Sequence, residues 1–279
     1  MASITDCVGE GLKYPFNDIK KLLGFGILFV ILDLISTAFT IKTFDMTKVI
    51  VNTIENDPNL TLSSFKVSML PNADIYFAVA AIIIGFIVAL FIMGYQYNLI
   101  DFSISKKDSL PGFSDVVGML VNGVKYFIVS FVYNIPPMIM AILAVMMMGN
   151  SSAWAVPLVI SFVLIVICYF LLVMALNNMV AHDSLKKAFD LHEIIGNISN
   201  LGWGKYVGTI LFTVIVFMII NVAIGLVMSF LAVVFAGVIN NQAIVVSTFI
   251  SIIEALFISS YCSVFFNRVC GSIYRESIK

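Results

Sequence analysis

The chain has 279 residues, of which 61% are hydrophobic and 11% charged, with a net charge of −1 and a mean hydropathy of +1.07. Soluble domains carry about 25% charged residues, so the composition excludes an ordinary water-soluble fold and makes lipid the main solvent. The near-zero net charge gives no signature of a nucleic-acid binder.

The first segment is amphipathic: Ile4, Val8 and Leu12 fall on one helical face. An apolar run then begins at Leu22, behind Lys20 and Lys21. Ser36-Thr37-Ala38 resembles a weak cleavage site. However, the leading segment is long and patterned, and the run contains Asp33, which favours a retained membrane helix over a signal peptide. Crossing the hydrocarbon core takes roughly 20 apolar residues. Six runs meet that length, at about Leu22–Ile41, Ile75–Leu99, Tyr126–Met148, Ala153–Leu176, Tyr206–Ala236 and Ala243–Phe266. Gly149–Ser152 and Gly237–Gln242 leave room only for tight hairpins. Lys42–Asp74 forms the one sizeable outer loop, in which Val49-Ile50-Val51 and Phe65–Leu70 fit a small strand pair or a short helix. Asn59-Leu60-Thr61 in this loop is a glycosylation sequon. Asn150-Ser151-Ser152 also fits but lies close to the membrane, and Asn197-Ile198-Ser199 falls on the other side.

Orientation follows from Lys and Arg. One side carries Lys13, Lys20, Lys21, Lys106, Lys107, Lys125, Lys186, Lys187, Lys205, Arg268, Arg275 and Lys279. The other carries Lys42, Lys48 and Lys66, all in the outer loop. The reading is a multi-pass protein of the cell membrane with both termini cytoplasmic.

Two connectors share a pattern. Asp108 to Gly118 reads DSLPGFSDVVG, and Asp183 to Gly196 reads DSLKKAFDLHEIIG. Each odd-numbered span follows an amphipathic stretch: Ile4–Leu12, then Val117, Leu120, Val121 and Val124, then Leu191, Ile194, Ile195, Ile198 and Leu201. Each stretch contains an acidic residue three positions before a glycine: Asp6 and Gly9, Asp115 and Gly118, Glu193 and Gly196. Such a helix beside a span lies in the headgroup plane, apolar face down. The expected fold is therefore an all-α membrane protein with six transmembrane helices and three cytoplasmic interfacial amphipathic helices. It is read as a single polytopic domain over 1–279 built from three repeats of an interfacial helix plus a transmembrane hairpin. The repeats are about 1–100 (with outer loop 42–74), 101–178 and 179–279. The alternative is that amphipathic linkers recur by physical necessity and the shared Asp-Ser-Leu is coincidence.

Leu12-Lys13-Tyr14-Pro15, Asp18-Ile19-Lys20-Lys21-Leu22-Leu23, Gly94-Tyr95, Leu110-Pro111-Gly112-Phe113, Pro136-Pro137 and the closing Arg268 … Tyr274-Arg275-Glu276 occur in that order. Together they resemble the archaeal integral-membrane family catalogued as domain of unknown function 4013. The resemblance implies an archaeal multi-pass membrane protein and carries over no catalytic or binding residues. One departure is that Gln96 to Ile100 lacks the basic residue expected shortly after Gly94-Tyr95, which puts a headgroup role for that position in doubt.

Charges within the bilayer cost about 2.5–3.5 kcal/mol each on insertion scales, so Asp33 in the first span and Glu254 in the sixth stand out. Asn134 in span three and Asn221 in span five lie at comparable depth. Gathered together, the four form a candidate midplane proton or cation site of the kind transporters use. The competing reading is a set of protonated or hydrogen-bonded structural groups. Asn134-Ile135-Pro136-Pro137 interrupts span three and frees carbonyls. Those carbonyls either line a cavity or simply shape a kink. Met146-Met147-Met148 has no His or Cys beside it and reads as packing rather than a copper site. Gly24, Gly26, Gly202 and Gly204 sit at membrane entries, where Trp203 and Tyr206 act as interfacial anchors.

His182 and His192 lie near Asp183, Asp190 and Glu193 without metal-ligand spacing, and the pattern fits a solvated connector better than a site. Cys7, Cys168, Cys262 and Cys270 show no paired or zinc-binding spacing. Polar groups at the span ends include Asp101 and Asn177. Among them Tyr95, Asn98, Asn178, Asn267 and Arg268 are candidate headgroup contacts.

No metal, cofactor or catalytic constellation is expected, and an enzyme is the less favoured class. The expected partners are membrane lipids, with other membrane proteins left open and oligomeric state unassigned. The leading functional reading is a non-enzymatic envelope or membrane scaffold or assembly component. The alternative is a small-solute or ion transporter using Asp33 and Glu254, and the third is a lipid-acting intramembrane enzyme.

Overall fold

The structure, a computed structural model, describes residues 3–56, 71–148, 152–238 and 243–278. Among them there are nine α-helices and no strand. The helices are α1 (Ile4–Lys13), α2 (Ile19–Asn56), α3 (Asn72–Ile104), α4 (Val116–Met147), α5 (Ala155–Ala181), α6 (Leu191–Leu201), α7 (Trp203–Val238), α8 (Ala243–Ile253) and α9 (Ser260–Ser277). A π-helical turn, Glu254–Ser259, joins α8 to α9 in one continuous rod. The six long rods are apolar and long enough to cross a membrane. Their outer faces carry exposed side chains such as Phe162, Phe230 and Val233, a surface that suits lipid and not water.

The rods outrun the apolar sequence runs. α2 continues to Asn56, so Val49-Ile50-Val51 is helical and not a strand. Its polar C-terminal half is held by hydroxyls that return to carbonyls four residues back: Thr40 to Ser36, Thr43 to Phe39, Thr47 to Thr43 and Thr53 to Val49. Lys42 Nζ lies 3.2 Å from Asp74 Oδ1 and ties α2 to the first turn of α3. Phe65–Leu70, the Asn59 and Asn150 sequons and most of the two short turns lie outside the described residues.

The amphipathic stretches differ from one another. α1 and α6 are separate short helices. The stretch beginning at Val116 is continuous with α4, and Val117, Val121 and Val124 lie exposed on its side. The acidic-x-x-Gly pattern reflects capping. Ser3 caps α1 with Asp6 completing a capping box, and Asp190 caps α6 ahead of Glu193. In the middle stretch the acid itself is the cap, with Asp115 accepting from the Gly118 amide at 2.8 Å. The two Asp-Ser-Leu triplets are also out of step. α3 and α5 both end in a left-handed Schellman cap, but its left-handed residue is Lys106 (φ 55°) in one and Asp183 itself (φ 43°) in the other.

Close packing uses small residues where backbones meet. α3 and α4 cross at Gly94 and Gly123, where a Cβ would overlap the carbonyls of Met119 and Leu90. α1 lies on α9, with Gly11 against Val269 and Phe265, and Cys7 and Val8 buried.

A buried guanidinium pins this corner. Arg268 on α9 is 2% exposed. It bonds Glu10 of α1 at 2.6 Å, donates to the Lys107 carbonyl at 2.8 Å, and sits 4.1 Å from the centre of the Tyr14 ring. Arg275, two helical turns further on, reaches Glu10 at 3.1 Å and the Ser103 carbonyl at 2.9 Å. Losing one partner of a buried pair leaves the other charge uncompensated, a loss of about 3–5 kcal/mol. Glu10 is itself only partly buried, so Glu10→Gln is expected to cost about 1–3 kcal/mol. Thermal unfolding in detergent should show this, and Glu10→Gln added to Arg268→Gln should cost less than it does alone.

Candidate functional site

Asp33 faces inward from α2, and Ser251 Oγ on α8 donates to its Oδ2 at 2.8 Å. Glu254 lies three residues beyond Ser251, on the same helical face, and opens the π-turn. Asp33, Ser36, Ser251, Glu254 and Ser259 line one pocket of about 310 Å³. Among the described residues no ion pair engages Asp33 or Glu254.

The π-turn shapes this pocket. Its i→i+5 bonding stacks residues five apart, which brings Ser259 onto the face of Glu254. Ser260 Oγ donates to the Leu256 carbonyl at 2.6 Å and so satisfies a backbone group within the turn. Helix α2 reaches the turn through Gly26, where a Cβ would overlap the Leu256 carbonyl. Gly24 instead faces the Phe113 ring.

A larger chamber of about 740 Å³ adjoins the pocket, and Phe29 and Ser259 line both. α5, α7 and α9 form most of its wall. Ser259, Ser263 and Asn267 recur every four residues and make a polar stripe along α9. Gln96 Nε2 of α3 donates to Ser263 Oγ at 2.9 Å. Sequence reasoning missed this stripe as a unit. Its signal was the four-residue spacing, which points at the chamber only once the rotation of α9 is known.

The structure distributes the sequence candidates unevenly. Asp33 and Glu254 come together. Asn221 lines the adjoining chamber and donates to the Phe217 carbonyl at 2.8 Å. Asn134 does not join them: it is exposed on α4 and bonds back to the Ser130 carbonyl. α4 runs through Pro136 and Pro137 without a break, and Ser161 of α5 donates to the Pro137 carbonyl at 2.8 Å.

The side chains read as headgroup contacts are engaged within the protein. Tyr95 is fully buried, stacked between Phe25 and Phe113, with its hydroxyl on the Pro111 carbonyl at 3.1 Å. Asn178 bonds the Lys187 carbonyl and accepts from Tyr274 at 2.7 Å. Asn98 accepts from Asn122, Asn267 borders the chamber, and Arg268 is held by Glu10.

The connector after α5 carries a second polar cluster. Lys125 lies 2.7 Å from Asp183 and Tyr97 donates to the same oxygen at 2.8 Å. Lys125 first, and then Tyr97, holds the Asp183 carboxyl below the usual carboxylate range. His182 sits 3.5 Å from Glu193.

The six rods, each long and apolar enough to cross a membrane, are consistent with a helical protein of the multi-pass membrane type. The chain belongs to the family described as protein of unknown function (DUF4013), whose model matches residues 77–233. The matched stretch runs from α3 into α7 and contains neither Asp33 nor Glu254. No curated protein and no solved structure matches the chain.

Because backbone atoms fill the space beside Gly26, Gly26→Ala must push α2 away from the π-turn. Overpacking of this kind costs about 1–3 kcal/mol. Gly225→Ala in α7, where a Cβ meets nothing within 4 Å, is expected to be neutral or slightly stabilising, by up to about 1 kcal/mol. Melting curves of the two variants in one detergent check both.

Proposed function

We propose that this protein is a membrane transporter in which Asp33 and Glu254 carry a proton or an alkali cation across the midplane. The observation that carries this reading is the shared pocket. Two carboxyls from different rods meet beside hydroxyls and a π-helical turn, at a depth where charges are expensive and are retained chiefly for function. Polar company and a locally altered helix are the features that separate a coupling site from an isolated structural carboxyl.

The scaffold or assembly reading rests on the amphipathic helices. Against it, α1 buries Cys7, Val8 and Gly11 in the bundle and is fastened by Arg268 and Arg275, which leaves little of its apolar face for a membrane surface or a partner. The cytoplasmic placement of both termini, an archaeal cell membrane and the threefold repeat remain part of the proposal. The placement of the termini is supported by the lysine distribution and the repeat by the similar ends of α3 and α5, while the archaeal membrane rests on the family resemblance alone. A lipid-acting enzyme has the least support, since the described residues that line the pocket offer carboxyls and hydroxyls with no histidine or lysine among them.

The purified chain in vesicles with an internal pH dye tests the transport reading. An outward Na⁺ or K⁺ gradient is expected to acidify the interior well above protein-free vesicles. Asp33→Asn and Glu254→Gln should each lower the rate about tenfold or more, and Ser251→Ala less. Vesicles indistinguishable from protein-free ones under both cations, or full rates in both carboxyl variants, would overturn it.

A further inference from the structure

We propose that the chamber between α5, α7 and α9 binds an uncharged, lipid-like alcohol that enters sideways from the membrane between α5 and α7. This goes beyond the ion reading and does not depend on it. The volume of about 740 Å³ lies within the roughly 300–1,000 Å³ of small-molecule sites. Ile165 and Val166 of α5 and Leu211 of α7 line the chamber and are also exposed on the outer apolar surface, so its mouth opens toward lipid and not toward an aqueous face. α5 and α7 make no extensive contact that would close the gap.

The lining defines the ligand's chemistry. Among the described lining residues none is charged, so a phosphate or carboxylate would enter without a counter-charge, which is costly at this depth. The polar groups of the lining both donate and accept. Asn221 Nδ2 donates to the Phe217 carbonyl and Asn267 Nδ2 to the Ser263 carbonyl, each at 2.8 Å, and Tyr126 and Tyr169, which carry hydroxyls, also line the chamber. An apolar cavity with such groups and no charge suits a molecule with an apolar body and a hydroxyl, which can donate and accept at once, because an analogue lacking the hydroxyl proton leaves an acceptor of the lining unpaired.

The test uses a diacylglycerol with a photoreactive acyl chain, incorporated with the full chain into nanodiscs without any ion gradient. Saturable cross-links are expected in the peptides that span 210–217 and 258–266. Methylating the free hydroxyl of the probe should lower labelling at least fivefold, as should a phosphatidic acid carrying the same chain. Val214→Trp, which fills the chamber, should do likewise, while Phe162→Ala on the outer surface should leave labelling unchanged. If Val214→Trp does not purify as a monodisperse protein, Asn221→Leu with Asn267→Leu replaces it, with the same expected loss. Equal labelling by the methyl ether or the phosphatidic acid, or labelling that survives the chamber variants, would reduce the contact to ordinary surrounding lipid and overturn the proposal. Because no flux is read, failure here leaves the ion reading standing, and the reverse also holds.

Discussion

One buried cation organises the molecule. Arg268 is 2% exposed, and the groups that engage its guanidinium come from three separate segments. Glu10 belongs to α1, Tyr14 to the single-turn 3-10 helix that follows, and the Lys107 carbonyl to the connector after α3. Fastening all three to α9 fixes the rotation of that helix about its own axis. That rotation decides which side chains of α9 look into the bundle. With Arg268 turned toward α1 and α3, Ser259, Ser263 and Asn267 face the chamber.

The second constraint is the need to keep backbone polar groups paired in a medium that offers no partners. A π-turn in the middle of a spanning rod meets it by shifting hydrogen bonds by one residue without abandoning them. It brings Ser259 onto the face of Glu254 and leaves Ser251 free to reach Asp33 across the interface with α2. The approach of α2 to the π-turn is close because residue 26 has no side chain. The pocket is therefore built from one fixed rotation, one helical irregularity and one missing methyl group.

Much of the architecture was legible in the chain and some was not, for physical reasons. The six rods follow from run length, since lipid tolerates little else. Their ends were read too short, because the C-terminal half of α2 is polar by residue type but satisfies its threonines internally. The carboxyls at Asp33 and Glu254 stand out by depth alone. Their meeting depends on which faces α2 and α8 present, and no local pattern fixes that. Tyr95, Asn178 and Arg268 read as headgroup contacts because polar groups at span ends usually are. Here the connectors fold back over them and supply carbonyls from Pro111, Lys187 and Lys107. The repeated Asp-Ser-Leu drew attention to similar helix ends, yet the left-handed residue of the cap precedes the triplet in one copy and opens it in the other.

The central claim is that α2 and α8 meet at Asp33 and Ser251, which gathers the two carboxyls into one pocket. The most direct measurement is a cross-link between them. With Cys7, Cys168, Cys262 and Cys270 replaced by alanine, the Asp33→Cys/Ser251→Cys variant is oxidised in membranes and its peptides are mapped by mass spectrometry. A disulfide joining the α2 and α8 peptides within each chain is the result the account predicts. Two thiols that stay free and react with maleimide, in a variant that otherwise purifies as the parent protein does, would contradict it.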